Sequence, residues 1–216
     1  MRGGLPGRRA PSQISVILGL MRRLSLILTL IIACAVPAAA LLAGCSGDRS
    51  QADQLVQDGE SLRQTAAGDF RQATLAMDGL VRDVDAGNPL KPDQTVSTTD
   101  DASQKLQAAL DALAQRGDKL NQAAGLDLDR NYHQYLDQLQ DNNSRLTDTM
   151  NAALAIPRLL KQKQYALAGW DQAKAAQVAG QVHQLEAQVG QQYSDADAVR
   201  NQAEQTRQDH PESFGG

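Results

Sequence analysis

DQLVQDGESLRQTAAGDFRQATLAMDGLVRDVDAG, residues 53–87, is the stretch on which the fold turns. Apolar or small side chains recur at Leu55, Gly59, Leu62, Ala66, Phe70, Ala73, Met77, Leu80 and Val84. The mean step is about 3.6 residues, the repeat of a straight α-helix and not the 3.5 of a heptad seam. Gly68-Asp69-Phe70 admits a helix-joining turn, but the periodicity runs through it unbroken, so one long helix is expected.

Working outward, Gly87-Asn88-Pro89 should end this helix and Pro92 prolong the loop. Thr98, Thr99 and Asp100 offer a cap for a second helix, whose stripe runs Ala102, Leu106, Leu110, Leu113, Gly117, Leu120 and Ala124. Gly125 and the Asp-rich Leu126-Asp127-Leu128-Asp129 turn break it. A third helix carries Tyr132, Leu136, Leu139, Asn143, Leu146, Met150 and Leu154, with Asn143 expected in the core as a register-setting polar residue. Pro157 kinks that helix or starts a new segment, and Gly169-Trp170-Asp171 marks a further turn. The last helix shows Val178, Val182, Leu185, Val189, Tyr193, Ala196 and Ala203. No stretch alternates as a strand does. The expected fold is all-α: an antiparallel bundle of about four long amphipathic helices without a sheet.

Composition agrees. Aromatics make up 3% of the chain, and alanine and glutamine, both good helix formers, dominate. Small side chains bury little area each, which suits long, thin, closely packed helices. The first 45 residues hold five of the 21 basic side chains and none of the 25 acidic ones, so the remainder carries a formal charge of −9. That argues against nucleic acid as a partner, since phosphates are bound by clustered Lys and Arg.

Residues 21–45 read MRRLSLILTLIIACAVPAAALLAGC: two arginines, an apolar run, small residues, then a cysteine. The ending Leu42-Ala43-Gly44-Cys45 resembles the lipobox of bacterial lipoproteins. The resemblance implies diacylation of the Cys45 thiol and cleavage just before it by signal peptidase II. It covers only the leader. The alternative is an uncleaved membrane helix, because Leu24 to Ala43 is just long enough to span a bilayer; Pro37 and the placement of the cysteine favour the lipoprotein. Two acyl chains suffice for stable anchoring. Ser46, where inner-membrane lipoproteins commonly carry aspartate, points to the outer membrane if the cell has one. The expected division is 1–20 as an extension ahead of a start at Met21, 21–44 as signal peptide and 45–50 as lipidated tether. Residues 51–207 are then the bundle, and 208–216 a disordered tail.

After Cys45 the only sulfur is in Met77 and Met150, so the bundle has no thiol chemistry. His133, His183 and His210 stand far apart and form no zinc, haem or di-iron pattern. The nearest approach to a metal site is Asp129, His133 and Asp137, whose spacing of four puts them on one helix face. A solvated face is the commoner outcome, and no metal or other cofactor is expected. His183-x-x-Glu186 is weaker still. Trp170 stands at a turn; it is either an interaction anchor or, more usually for such an aromatic, packed over the bundle end. These residues support no enzyme. They point to a lipid-anchored extracytoplasmic module of the cell envelope, structural or protein-binding, with the membrane and another envelope protein as partners. The alternative is a bundle that binds a metal or small ligand near His133.

Overall fold

The stripe over residues 53–84 is realised within one helix. In the computed structural model, which describes residues 46–85 and 91–214, α1 (Ser46–Asp85) runs 40 residues and passes Gly68 without a break. Ala52, Ala66, Ala73, Met77 and Leu80 from this helix are buried. Next come α2 (Pro92–Ala124), α3 (Arg130–Ala153), α4 (Ala155–Ala168) and α5 (Gln172–Asp209), then a 3-10 turn, Pro211–Ser213. Among the described residues there is no strand, and the fold is an all-α helical bundle. Residues 44–216 form a unit with its own core. Cys45, the leader 21–44 with its membrane-helix alternative, residues 1–20 and the Gly87-Asn88-Pro89 stop lie outside the described residues.

The long helices run up and down. α1 and α2 are joined antiparallel by Lys119–Asp58 (3.3 Å) and Lys105–Asp69 (3.5 Å). Gln140 Nε2 donates to Asn121 Oδ1 (3.0 Å) between α2 and α3, and the Thr206 hydroxyl donates to Gln138 Oε1 (2.9 Å) between α5 and α3. Leu106, Leu113, Leu120, Leu136, Leu139 and Leu160 are essentially fully buried. Each such side chain contributes roughly 1.5–3 kcal/mol of transfer free energy, and these stripes hold the bundle together.

Five sequence expectations change. Pro92 does not lengthen the loop but opens α2 at its first position, where a missing N–H costs nothing. Thr99 is therefore no cap: it is fully buried inside α2, its hydroxyl donating to Thr95 O at 2.7 Å. Residues 46–50, read as tether, are the first turn of α1. The tail read as disordered from 208 is ordered through Phe214, which is 8% exposed. Its ring lies 4.8 Å from Tyr132 and 5.1 Å from Tyr135. Burying an aromatic against two others offsets the entropy of fixing a short tail. Lastly, Asn142 and not Asn143 is the fully buried asparagine; Asn143 is half-buried beside it.

Pro157 starts a new segment. Its ring nitrogen cannot donate to the Ala153 carbonyl four residues back, so α3 stops at Ala153 and α4 begins at Ala155 with Pro157 in its first turn.

Candidate functional site

Four features stand out, distributed from one end of the bundle to the other. At the lower end the first turn of α1 meets the α2–α3 turn and the C-terminus. Arg49 Nη2 lies 3.1 Å from Asp129 Oδ2, and the Asp127 N–H donates to Asp48. Tyr132 donates its hydroxyl to Asp53 Oδ1 at 2.7 Å. Asp129 does structural work here. It caps α3, accepting the N–H groups of Asn131 (2.9 Å) and Tyr132 (3.0 Å). Burial would raise its carboxyl, but these bonds, one from Ser213 and the Arg49 contact hold it below the usual carboxylate range. His133 is half-buried and Asp137 exposed. Among the described residues no three His, Cys, Asp or Glu side chains converge on a metal position, so Asp129, His133 and Asp137 are not gathered into a site. His183 and Glu186 do approach, at 3.3 Å, on exposed α5.

About a quarter of the way up sits a polar network that sequence reasoning missed. Arg116 of α2, fully buried, donates to Glu60 Oε1 of α1 (3.0 Å) and to Asn142 Oδ1 of α3 (2.7 Å). Glu60 also takes Arg63 Nε (2.8 Å) and Arg200 Nη2 of α5 (3.2 Å), while Asn142 Nδ2 donates to Ala196 O of α5 (2.8 Å). Four helices are thereby tied into one network, α3 through Asn142 and the other three through the Glu60 carboxylate. Burial lowers the Arg116 guanidinium to about 10, and Glu60 only partly restores it. Burial would likewise raise Glu60, but the Arg63 hydrogen bond and the charges of Arg116, Arg63 and Arg200 draw it below its ordinary value. The legible trace was glycine in the stripes. A Cβ on Gly59 would stand 3.5 Å from Arg116 Cγ, and one on Gly117 would stand 3.3 Å from Asn143 Nδ2. Each glycine leaves room for a large polar neighbour.

Higher up, the seam between α1 and α5 widens into a cleft of about 800 Å³. Met77 and Val81 of α1, Ala153 and Ile156 at the α3–α4 break, and Val189 of α5 line it. Phe70 and Tyr193 stack across the seam, with centroids 5.4 Å apart and planes 8° from parallel, and close its lower end.

The fourth feature is the α4–α5 turn. Trp170 is 89% exposed, so its ring does not pack over the bundle end, the more usual arrangement for such an aromatic. Its backbone φ is +62°, the only positive value at a non-glycine among the described residues. The turn is a Schellman motif: the Asp171 N–H bonds Ala166 O (2.9 Å) and the Trp170 N–H bonds Leu167 O (3.1 Å). Glycine normally takes the left-handed position of that motif. Here Gly169 stands one residue too early, with φ −87°, and the strained position falls to tryptophan. The cost is about 1–2 kcal/mol. Asp171 then caps α5 by accepting the Lys174 N–H (2.9 Å). Tyr165, one helical turn before Gly169, is 68% exposed.

The chain matches no protein-family model, no curated protein and no solved structure, so the reading of these features rests on its own residues. No helix among the described residues is long and apolar enough to cross a membrane.

Proposed function

We propose that this chain is a lipoprotein of the cell envelope, tethered through lipid on Cys45, whose bundle carries an interaction tip away from the membrane. The observation that carries this reading is Trp170: a large aromatic, almost fully exposed, kept in a strained conformation that glycine would relieve. Strain of this kind that buries nothing is best accounted for by use. Position supports it. Cys45 directly precedes the first turn of α1, and α5 runs 38 residues, about 57 Å, from the Trp170 turn back to that end. With no loose linker between Ser46 and the bundle, a lipid on Cys45 holds the lower end at the bilayer and leaves the indole far from it.

Charge suggests what the tip meets. Residues 154–183 contain Arg158, Lys161, Lys163 and Lys174 against the single acid Asp171, a reversal within an acidic domain. Lys161 pairs with Asp100, whereas Arg158 and Lys174 are exposed. An envelope protein with an indole-sized pocket and an acidic rim is the partner that fits.

Two measurements test the two halves. Labelled palmitate should enter the wild-type protein and not Cys45→Ser, which should stay unprocessed or leave the membrane; equal labelling removes the tether. A photo-crosslinking residue at position 170 should give a discrete adduct in intact cells, and one at Gln184 on the exposed face of α5 should not. The same adduct from both positions, or none from 170, would refute the tip.

A further inference from the structure

The two halves of α4 are seated differently. Its first half is anchored by Ile156, Pro157 and Leu160, all buried, and Lys161 pairs with Asp100 of α2. Past that point the inward face turns polar. Lys163 and Gln164 are 6% and 7% exposed, and the buried Gln164 Oε1 has no hydrogen-bond partner. Buried polar side chains of α3 are placed otherwise: Asn142 Nδ2 donates to Ala196 O (2.8 Å) and the Thr149 hydroxyl to Arg145 O (2.7 Å). An acceptor stripped of water with nothing in return favours any state in which water reaches it.

Backbone support is also thin. α4 has 14 residues, close to the roughly 12–15 below which an isolated helix is marginal in water. Its ladder is not continuous with that of α3, which stops at Ala153 ahead of Pro157. At the other end stands Trp170, whose left-handed backbone relaxes once the turn opens. One motion therefore relieves both costs: residues 162–170 leave their seat while Leu160 and Lys161 hold the rest of α4. Local opening of this kind needs no unfolding of the bundle, since stability varies from segment to segment.

The same motion controls the tip. Trp170 is held left-handed by the bond from its own N–H to Leu167 O and by that from the Asp171 N–H to Ala166 O. The indole keeps its direction only while the last turn of α4 is helical. We infer that residues 162–170 form a conformational switch, opening locally from a bundle that stays folded and presenting Trp170 only when seated. A partner at the tip then selects the seated form, and its binding slows the opening by the same coupling. That coupling rests on the role proposed above for Trp170; the opening itself does not.

Hydrogen–deuterium exchange of the protein, read by mass spectrometry, tests both. Peptides from 162–169 should exchange about tenfold faster, or more, than peptides from 144–152 of α3. Gln164→Met removes the orphaned acceptor while keeping an unbranched side chain and a similar helix propensity. It should slow exchange over 162–169 about tenfold and leave 144–152 unchanged. Gln162→Met, the same change at an exposed position of α4, should alter neither. Protection of 162–169 equal to that of α3, or no slowing by Gln164→Met, overturns the switch. Equal slowing by both variants would assign the effect to helix propensity and overturn it as well. These readings involve no partner, so they stand or fall apart from the adduct at position 170. In that adduct, exchange over 162–169 should be slower than in the free protein; exchange as fast or faster would overturn the coupling.

Discussion

The seam between α1 and α5 is built in two ways along its length. Below the Phe70–Tyr193 stack a polar side chain reaches across it, Arg200 to Glu60, with Arg116 and Asn142 behind the pair. Above the stack the same two helices border an open cleft floored by the buried Met77, Val81 and Val189, and the top of the bundle carries the strained, exposed Trp170. The lower half spends its polar groups on itself, while the upper half leaves the aromatic side chains of Tyr165 and Trp170 uncovered. Buried ionic networks contribute little net stability, yet removing one partner is costly because it leaves a buried charge uncompensated. Placed in the lower half, the Glu60 network aligns all four long helices once, and the upper seam can stay open without loss of alignment.

The comparison breaks first at Arg116. Arg116→Ala leaves the Asn142 carbonyl and part of Glu60 unpaired inside the bundle, and should cost about 3–5 kcal/mol in a urea melt. A loss under 1 kcal/mol would mean the network is spectator to the packing. The same carboxylate sets an acid limit. The Glu60 pKa is lower in the folded protein than its ordinary 4.5, so the stability it confers is complete above that value. It drains as pH falls through the folded value. Glu60→Gln should therefore flatten the loss of stability between neutral pH and the acid range, and an unchanged profile would assign acid sensitivity elsewhere.

Leucine truncation compares the halves directly. Leu139, 1% exposed beside the lower ring cluster, should lose about 2–5 kcal/mol on change to alanine. Leu185, only half-buried on upper α5, should lose about half as much, because its site already opens toward solvent. Equal losses would mean that the upper seam is as tightly packed as the lower. The smallest effect has the opposite sign. Trp170→Gly puts glycine in the left-handed position and should raise stability by about 1 kcal/mol, while abolishing any adduct formed at the tip. Destabilisation by that change would show that the indole packs in solution.

Helicity, helix number and the core stripes were legible before any coordinates, because each is a local matter: propensity and a repeat of 3.6 positions act within one segment. Nearly every residue of the α1 stripe that the structure describes faces inward, and Gly68 interrupts nothing. The boundaries were less legible. Pro92 reads as loop or as helix start with equal local justification, and only the burial of Thr95 and Thr99 against the bundle decides for the second. Phe214 looked like the end of a frayed tail, because nothing near it in sequence hints at Tyr132 and Tyr135.

What the sequence determined by itself is the all-α class, the acidic surface, the absence of thiol chemistry after Cys45, and an N-terminal stretch ending in residues that resemble a lipobox. Tertiary structure alone decided which polar residue is central, since Arg116 reads as a surface charge until Gly59 and Glu60 of another helix are brought beside it. It likewise decided that Trp170 is bare and that Phe214 docks on Tyr132 and Tyr135. The physical reason is common to all three. Periodicity says which face of a helix turns inward, but the spacing between two faces, and what fills or fails to fill it, is set by side chains far apart in the chain.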